Sequence, residues 1–468
     1  MKIEQIYTGC LAQGAYYIES NGEVAIIDPL REVKPYIEKA AKNNAKIKYI
    51  FETHFHADFV SGHVTLAEKT GAPIVFGPNA NPSFKAHIAT DGEVFTLGNI
   101  TITVLHTPGH TMESSCYLLK DKNGKDYALF SGDTLFLGDV GRPDLAQISG
   151  KITQEDLAGM LFDSLRNKVM TLADDVIVYP AHGAGSACGK NLSKETVGSI
   201  GDQKATNYAL RADMTKQEFI NEVTDGLLPP PAYFPKNVQL NKEGYDNVEN
   251  IIRDAVAYDA KTFEIIANET EALILDVRRE EDFAKGHIPK SIFIGVHGAF
   301  APWVGALILD IKQPILLVTP EGQEEETITR LSRVGYDNTL GYLKGGFDSW
   351  KIAGFEYDSV TSVSAEVLEE KINEKALVFD VRKPGEYTAE HILDVPSTPL
   401  DFLNDHLSEF PKEAPFYVHC AGGYRSMIAV SILKARGYHN AIDVKGGFAA
   451  IKNTGIKTTN YVCPSTLK

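Results

Sequence analysis

Thr53-His54-Phe55-His56-Ala57-Asp58-Phe59 follows an apolar run at residues 47–51, so two histidines and a carboxylate alternate where a predicted strand ends. Neutral imidazole and carboxylate are typical ligands of transition metals. The alternation alone also fits a hydrogen-bonded turn, but three later predicted strands end in the same way. They lie at residues 100–105, 127–130 and 176–179 and lead to His110, Asp133 and His182. Four strand ends that each deliver a ligand type predict a metal site.

This pattern resembles the metallo-β-lactamase fold, an αββα sandwich with its metal site along strand ends, and the resemblance spans residues 1–235. The motif of that family normally reads His-x-His-x-Asp-His and builds two adjacent metal sites. Here Phe59 stands at the last histidine position and cannot ligate, so a site for one metal is favoured. The resemblance implies three remaining ligands: His54, His110 and Asp133. It leaves three residues as supporting or vestigial members of the second site: His56, Asp58 and His182.

Two histidines and one carboxylate on one face of a metal are the arrangement of non-haem Fe(II) oxygenases, which keep open positions for O₂ and substrate. We therefore expect one Fe(II) per chain as the cofactor. A pair of metals that generates hydroxide would instead indicate a glyoxalase-II-like thioester hydrolase. Phe59 argues against the complete second site that such an enzyme needs.

Two further residues follow metal-bearing strand ends on glycine-rich loops. Arg142 lies in the segment Gly141-Arg142-Pro143-Asp144, and persulfide dioxygenases of this superfamily have a similar segment. Its planar fork suits an anion, so we predict that Arg142 binds substrate, although it could also close the loop on Asp144. Cys188 follows His182 closely and is a second predicted substrate residue, which could exchange sulfur near the metal. Its alternative role is that of a small buried apolar residue.

The rest of the chain repeats itself at about a hundred residues. The first copy contains Asp276-Val277-Arg278, Gly286-His287-Ile288 and Lys344-Gly345-Gly346-Phe347. The second contains Asp380-Val381-Arg382, Glu390-His391-Ile392 and Lys445-Gly446-Gly447-Phe448. Predicted strands alternate with helical stretches, which indicates a small α/β domain with a mostly parallel sheet in each copy. This spacing resembles the rhodanese sulfurtransferases.

Only the second copy has a nucleophile. Cys420 follows a predicted strand and begins a loop before a helical stretch, where backbone N–H groups and the positive helix end converge. Arg425 adds a full charge, so the thiol pKa is lowered and a thiolate or persulfide is held. The loop resembles the rhodanese active loop, with Cys420 and Arg425 as catalytic residues; phosphatase loops have one more residue between the two. The rest of the predicted cradle is Ala421, Gly422, Gly423, Tyr424 and Ser426.

The first copy has no thiol at the corresponding place. Matching Val318 to Val418 puts Pro320 at the position of Cys420, and three glutamates follow at residues 324–326, where a sulfur anion would be repelled. On this alignment the first copy is two residues shorter up to its Gly-Tyr pair. We interpret it as an inactive rhodanese-like domain that packs and positions the others.

Length and composition bound the remaining possibilities. The 468 residues favour about three domains. We place an iron dioxygenase domain at 1–235, a linker at 236–260, the inactive copy at 261–357 and the active copy at 358–468. A net charge of −16 argues against a nucleic-acid partner, and we see neither a signal peptide nor an apolar run of membrane-spanning length. Five scattered cysteines indicate free thiols in a reducing compartment, so the cytoplasm is expected.

The order of these domains resembles the bacterial persulfide dioxygenase–rhodanese fusions. The resemblance implies O₂-dependent oxidation of a low-molecular-weight thiol persulfide at Fe(II), giving sulfite. The thiol carrier would be of the glutathione, coenzyme A or bacillithiol type. Cys420 would then pass sulfane sulfur from a second persulfide to sulfite, giving thiosulfate, as in sulfide detoxification. Such fusions are expected to be homo-oligomers, either dimers or tetramers. The alternatives are the thioester hydrolase with a sulfurtransferase domain, or a carrier that binds persulfide without turnover.

Overall fold

The computed structural model describes residues 1–190 and 192–462, and its chain divides into two compact units. The first contains Met1–Val248 with Ser332–Gly335, and the second contains Glu249–Leu331 and the chain from Tyr336 onward. Within the described residues, every helix is too short or too polar to cross a membrane. The described cysteines Cys10, Cys116, Cys188 and Cys420 are free thiols, whereas Cys463 lies outside the described residues.

The first unit contains two six-stranded sheets. The first sheet has the order β1 (Lys2–Thr8), β2 (Gln13–Ser20), β3 (Glu23–Ile27), β4 (Lys46–Phe51), β5 (Ile74–Phe76) and β6 (His87–Ile88). The second has β7 (Val94–Leu97), β8 (Ile100–His106), β9 (Ser115–Lys120), β10 (Asp126–Gly132), β11 (Ile177–Pro180) and β12 (Gly198–Ser199). Strands pair antiparallel except from β3 to β6 and between β10 and β11, which are parallel.

Helices cover the outer faces of both sheets. They are α1 (Lys34–Lys42), α2 (His63–Thr70), α3 (Gln154–Ser164), α4 (Ile200–Thr206), α5 (Lys216–Thr224) and α6 (Phe234–Glu243). The next helix in the chain, α7 (Val248–Asp254), begins at the last residue of the Met1–Val248 segment and otherwise belongs to the second unit. A π-helical turn, Leu165–Val169, extends α3, and a 3₁₀ turn, Tyr208–Leu210, follows α4. Side chains alternate along β2: Tyr16 and Ile18 enter the core between the sheets, while Tyr17 packs with residues of α1 and α2. Residues of α3, α4 and α5 share a core with β9, β10 and β11. The predicted αββα sandwich is therefore confirmed.

Residues 236–260, the predicted linker, are mostly occupied by α6, α7 and the next strand. The Asn241 side chain of α6 donates to the carbonyls of His56 and Phe59, both at 2.8 Å, and accepts from the Ser61 amide. These backbone groups belong to the loop after β4 and need partners because they are buried. The helix therefore supports the ligand loop, which sequence periodicity does not reveal. The predicted domain limits stay predictions.

The second unit contains two parallel sheets, one in each copy of the repeat. The first has β13 (Val256–Tyr258), β14 (Leu273–Asp276), β15 (Ile292–Phe293), β16 (Ile315–Val318) and β17 (Thr339–Leu343), in the spatial order β13-β17-β16-β14-β15. The second has β18 (Ser362–Val363), β19 (Leu377–Asp380), β20 (Phe416–His419) and β21 (Ala441–Val444), in the order β18-β21-β20-β19. The helices are α8 (Ala260–Thr270), α9 (Glu280–Lys285), α10 (Phe300–Leu307), α11 (Glu324–Ser332), α12 (Gly346–Ile352), α13 (Ala365–Asn373), α14 (Pro384–Ala389), α15 (Tyr424–Ala435) and α16 (Gly447–Ile451).

The repeated Asp-x-Arg motif has the same structural role in both copies. The Arg278 guanidinium donates to the Asp276 carboxylate at 2.6 Å and to the Gly286 carbonyl at 2.8 Å. Arg382 makes the matching bonds to Asp380 and Glu390, again at 2.6 and 2.8 Å. These ion pairs tie one strand end to the following helix end. The motif therefore has a structural role. Because it occurs at the same place in both copies, it also allows them to be aligned residue by residue.

This alignment corrects the sequence-based position of the missing thiol. Asp276 pairs with Val318 across the sheet, and the equivalent Asp380 pairs with His419. Thr319, not Pro320, therefore stands where Cys420 does, and the first copy is shorter by one residue, not two, up to its Gly-Tyr pair. Matching the valines gave the wrong position because similar apolar residues occupy neighbouring places in both strands, whereas the backbone pairing shows which residues are equivalent. The first copy still offers no thiol at this position.

Candidate functional site

The first site lies at three strand ends of the sandwich. His54 follows β4, His110 follows β8 and Asp133 follows β10, and all three side chains are buried. The Asp133 Oδ2 atom lies 3.4 Å from His110 Nε2 and 3.8 Å from His54 Nε2. Their potential ligand atoms lie within 4.8 Å of one another. The structure thus brings together the three predicted ligands; their assignment as ligands stays a prediction.

Hydrogen bonds on the far side of each ring aim a nitrogen lone pair at this point. His110 Nδ1 lies 2.9 Å from the Arg142 carbonyl, which only accepts, so Nδ1 carries the proton. Thr53 Oγ1 donates to Asp28 and lies 3.0 Å from His54 Nδ1, so it accepts from that ring. Both Nε2 atoms are then unprotonated, and burial lowers the pKa of His54 well below its ordinary value. Such outer hydrogen bonds are typical of metal-binding histidines.

Two observations show that this donor set fits a divalent transition metal. Asp133 Oδ2 is buried and has no hydrogen-bond partner among the described residues, which is costly unless an ion binds it. Gly141 closes over the same point: a Cβ there would lie 2.1 Å from the Asp133 carbonyl oxygen and 2.9 Å from His110 Nδ1. Only glycine allows the Arg142 segment to approach so closely.

His182 lies between two carboxylates instead of joining the three ligands. Its Nδ1 is 2.8 Å from Asp133 Oδ1, and its Nε2 is 2.8 Å from Asp58 Oδ2. Burial opposes a charge on this ring, but Asp133 and then Asp58 raise the pKa of His182 well above its ordinary value. An imidazolium here holds Oδ1 of Asp133 and leaves Oδ2 for the metal. This arrangement fits the predicted supporting role of His182 and Asp58.

Cys188 completes a second cluster that the sequence did not reveal. Its sulfur and the ligand atoms of Asp58 and His182 lie within 4.8 Å of one another. Phe59, at the missing histidine position, packs on the His56 ring with 4.4 Å between centroids. Cys188 is only 1 % exposed, and burial raises the pKa of its thiol well above the usual value, with further raising by Asp58 and Asp133. The charged groups that act on this thiol are carboxylates, so the electropositive setting that favours a reactive thiolate is absent here.

His56 turns away from the three ligands towards two carboxylates that sequence reasoning missed. Its Nε2 lies 3.1 Å from Asp28 Oδ1 and 3.5 Å from Glu52 Oε2, and all three side chains are buried. Burial, and then the charge of Asp28, raises the pKa of Glu52 well above its usual value. Asp28 follows β3 as the ligands follow their strands, and that strand-end position was the available signal. Glu52 has the same position directly after β4.

Arg142 is committed to its own loop. The guanidinium binds both oxygens of Asp144, at 2.6 and 2.7 Å, and also donates to the carbonyls of Ala187 and Leu228. Its side chain is only 5 % exposed. Hydrogen bonds therefore connect the 139–144 segment to the loop that carries Cys188 and to the segment that follows α5. The predicted substrate role stays a prediction, and it would require this pair to open.

The second site is the loop from β20 to α15. Cys420 is buried, and the Gly423 amide donates to its sulfur at 3.1 Å. Ser426 Oγ lies 3.6 Å from the same sulfur and 2.7 Å from Asp443 Oδ1. Burial raises the pKa of Asp443 to about 6. Gly447, from the Lys-Gly-Gly-Phe motif, lies under the loop, because a Cβ there would be 2.3 Å from the Cys420 carbonyl oxygen. A backbone donor and a helix start thus converge on one thiol.

Arg425 carries the positive charge of this loop, and the structure adds a partner for it. The guanidinium binds both oxygens of Glu386 on α14, at 2.5 and 2.8 Å. Burial works against the charged form, but Glu386 raises the pKa of Arg425 above its ordinary value. The pair fixes the fork beside the loop and offsets part of its charge. No feature of the sequence singled out Glu386 or Asp443, since both come from distant segments.

Comparison with known proteins gives a family match for each part of the chain that carries a site. The metallo-beta-lactamase superfamily matches residues 8–182, and the rhodanese-like domain matches residues 259–353 and 364–454. A crystal structure of a metallo-beta-lactamase from Staphylococcus aureus is 31% identical, covers 74% of this chain and 98% of its own, and superposes with a TM-score of 0.64.

The chain belongs to the metallo-beta-lactamase superfamily. Its metallo-beta-lactamase domain is followed by rhodanese-like domains, as the sequence predicted.

Curated relatives of the metallo-beta-lactamase domain carry hydrolase names. A probable hydroxyacylglutathione hydrolase of Schizosaccharomyces pombe is 34% identical over 161 residues, which are 34% of this chain and 58% of that protein. A probable metallo-hydrolase of Burkholderia pseudomallei is 27% identical over 270 residues, which are 50% of this chain and 88% of that protein. The chain thus spans under two thirds of the length of the first of these relatives.

Proposed function

We propose that the protein is a non-haem Fe(II) persulfide dioxygenase joined to a thiosulfate-forming sulfurtransferase. The observation that carries the proposal is the convergence of two imidazole lone pairs and one unpartnered carboxylate oxygen, at His54, His110 and Asp133. Two histidines and one carboxylate are the ligand set of non-haem Fe(II) oxygenases. The buried thiol of Cys420 under a backbone donor supports the sulfur-transfer half.

The residues around the metal would act chiefly by position. When bound, Fe(II) would supply O₂ activation and a binding place for the persulfide. His110 and His54 are held in one tautomer by Arg142 and Thr53, and His182 fixes the far oxygen of Asp133. Phe59, which stands at the position of a histidine in the family motif, packs on the His56 ring and offers no nitrogen ligand to a second metal. This arrangement supports the proposal of one metal with open positions.

Sulfur transfer at Cys420 would proceed by two displacements that need no oxidant. The Cys420 thiolate attacks the outer sulfur of a persulfide, the S–S bond breaks, and the carrier leaves as its thiolate. Sulfite then attacks the outer sulfur of the enzyme persulfide, thiosulfate forms, and Cys420 leaves as a thiolate. The Gly423 amide and the start of α15 stabilise the negative sulfur in both states.

A thioester hydrolase is the second candidate, and the hydrolase names of the curated relatives favour it. The Asp58–His182–Cys188 cluster could complete a second metal site in place of the missing histidine. Purified protein distinguishes the candidates when metal content, O₂ uptake with glutathione persulfide and hydrolysis of a hydroxyacylglutathione are measured together. The proposal expects about one iron per chain and persulfide-dependent O₂ uptake. Two metals with thioester hydrolysis and no O₂ uptake would replace it with the hydrolase.

Cys188→Ala tests whether the second cluster holds a metal. We expect the iron content to remain about one per chain, because Cys188 is not among the three converging ligands. Metal analysis by mass spectrometry measures this, and a loss of one metal from a starting value of two would contradict it. Turnover then separates the two roles of the thiol. A sulfur-exchange role lowers O₂ uptake per iron at an unchanged melting temperature, whereas a packing role costs about 1 kcal/mol of stability with turnover intact.

Arg142→Lys tests the role of the guanidinium. Lysine keeps the charge but cannot bind both oxygens of Asp144 and two carbonyls, so we expect a stability loss of about 2 kcal/mol in chemical denaturation. Asp144→Asn is the matched control, because it breaks the same pair from the other side. If both variants lose the same stability and have the same KM for the persulfide, the role of Arg142 is to hold the loop. A raised KM in Arg142→Lys alone would support the predicted substrate role.

A further inference from the structure

The helix that carries the sulfur-transfer loop is held by the copy of the repeat that lacks the cysteine. Helix α15 begins directly after Gly423, and its residues 426–433 are all buried. It packs against β15 and α9 of the first copy. The Ser431 hydroxyl on α15 accepts a hydrogen bond of 2.9 Å from the Phe293 amide at the end of β15. The first copy therefore supplies part of the surroundings of the active loop.

The closest of these contacts falls on Tyr424, the first residue of α15. Its hydroxyl donates to the Gly295 carbonyl at 2.7 Å, and its ring meets the Phe293 ring edge-on at 5.9 Å. The ring also fills the space beside two glycines. A Cβ on Gly298 would lie 2.3 Å from the Tyr424 ring, and one on Gly295 would lie 3.1 Å from it. Any larger residue at Gly298 must therefore displace the ring.

The second copy shows that this fold does not need glycine at these positions. In the first copy, the Ile294 and Val296 amides donate to the carbonyls of Asp276 and Val277. In the second copy, the equivalent donors are Thr398 and Leu400, which bind Asp380 and Val381. Pro399 therefore stands where Gly295 does, and Phe402 stands where Gly298 does. Glycine at both positions occurs only in the copy that receives Tyr424, and the three atoms nearest to a Cβ on Gly298 all belong to the Tyr424 ring.

We propose that the cysteine-free copy is the positioning partner of the sulfur-transfer loop, and that it acts by holding Tyr424 between Gly295 and Gly298. With Tyr424 held, the first turn of α15 is fixed, and the adjacent Gly423 amide points at Cys420 Sγ at 3.1 Å. Tyr424 is a positioning residue, since its hydroxyl binds the first copy and not the sulfur. The reaction that this contact serves rests on the proposed sulfur-transfer function; the contact and its effect on the thiol do not.

Gly298→Ala in the full-length metal-loaded protein tests the proposal. The added Cβ displaces the Tyr424 ring, so the Gly423 amide loses its alignment with Cys420. We expect alkylation of Cys420 by iodoacetamide at pH 7, followed on its peptide by mass spectrometry, to slow by about tenfold, the effect of one lost hydrogen bond to a charged group. The midpoint of its pH profile shifts upward, and sulfur transfer to sulfite slows in step. Persulfide-dependent O₂ uptake is unchanged.

Three further variants separate positioning from general damage. Gly385→Ala is the control, because Gly385 lies in the same unit and a Cβ there meets no atom within 4 Å. We expect it to leave the alkylation of Cys420 unchanged. Tyr424→Ala slows alkylation of Cys420 by itself. Adding Gly298→Ala to it has no further effect, because the substitution at Gly298 acts only by displacing the Tyr424 ring. Tyr424→Phe keeps the ring but loses the bond to Gly295, so it slows alkylation less than Gly298→Ala does.

Unchanged alkylation in both Gly298→Ala and Tyr424→Phe would overturn the proposal, and so would additive effects in the double variant. If Gly298→Ala does not fold, Tyr424→Phe alone decides, and wild-type alkylation in it counts against the proposal. The proposed function fails separately. If the wild-type protein forms no thiosulfate from persulfide and sulfite while the variants still slow alkylation, the positioning role stands and the reaction assignment falls.

Discussion

Cys420→Ser is expected to stop thiosulfate formation while persulfide-dependent O₂ uptake continues and sulfite accumulates. Serine is not ionised at neutral pH and cannot carry sulfane sulfur, so the first displacement has no nucleophile. The substitution removes one sulfur from a buried loop whose backbone donor, the Gly423 amide, remains. Sulfite and thiosulfate are separated and quantified by chromatography in the same reaction in which O₂ is followed with an electrode.

The control for Cys420→Ser is Cys10→Ser, which removes another thiol from the other compact unit. We expect it to leave thiosulfate formation unchanged. Thr319→Cys adds a thiol at the equivalent position of the first copy and is not expected to restore transfer to Cys420→Ser, since three glutamates begin the following helix. Undiminished thiosulfate output from Cys420→Ser would refute the assignment of the nucleophile.

Asp133→Asn is expected to release the metal and abolish O₂ uptake. Asparagine keeps the size of the side chain but loses the negative charge that faces His54 and His110 and that pairs with His182. The loss should exceed the reduction of about 10- to 100-fold that outer hydrogen-bond partners of a metal site typically cause. Iron per chain and O₂ uptake measure it. Alkylation of Cys420 should stay normal, because that thiol lies in the other unit.

Asp58→Asn is the matched control for Asp133→Asn. Asp58 is also a buried carboxylate beside His182, but it is not one of the three converging ligands. We expect Asp58→Asn to keep about one iron per chain and to lower turnover by no more than a supporting residue does, about 10- to 100-fold. Equal metal loss in both variants, or two adjacent metals in the wild-type protein by anomalous scattering, would contradict the single-iron site.

Local signals in the sequence carried the resemblance from which the αββα sandwich was predicted, namely strands that each end at a ligand type. The structure brings His54, His110 and Asp133 together, and their role as ligands stays a prediction. Cys420 was found because its strand, loop and helix are consecutive in the chain. Strands, loops and helices that are consecutive in the chain depend on neighbouring residues. Hydrophobic periodicity and turn residues can therefore predict them.

Errors arose where the relevant partner is distant. The thiol position in the first copy was displaced by one residue because the register of β16 is set by its ladder with β14. The predicted linker proved to contain α6, whose Asn241 completes the hydrogen bonds of the ligand loop. Neither feature has a local pattern, since each depends on which buried backbone groups meet after folding.

The sequence by itself determined which residue types stand at strand ends, which copy of the repeat carries a thiol, and that Phe59 cannot ligate. Only the tertiary structure decided the partners of those residues. It placed His182 between Asp58 and Asp133, Cys188 beside them, and Glu386 against Arg425. It also brought Tyr424 to the glycines of the other copy. The physical reason is that a ligand at a strand end is positioned by its own strand, whereas charge compensation and close packing depend on segments that meet only when the chain is folded.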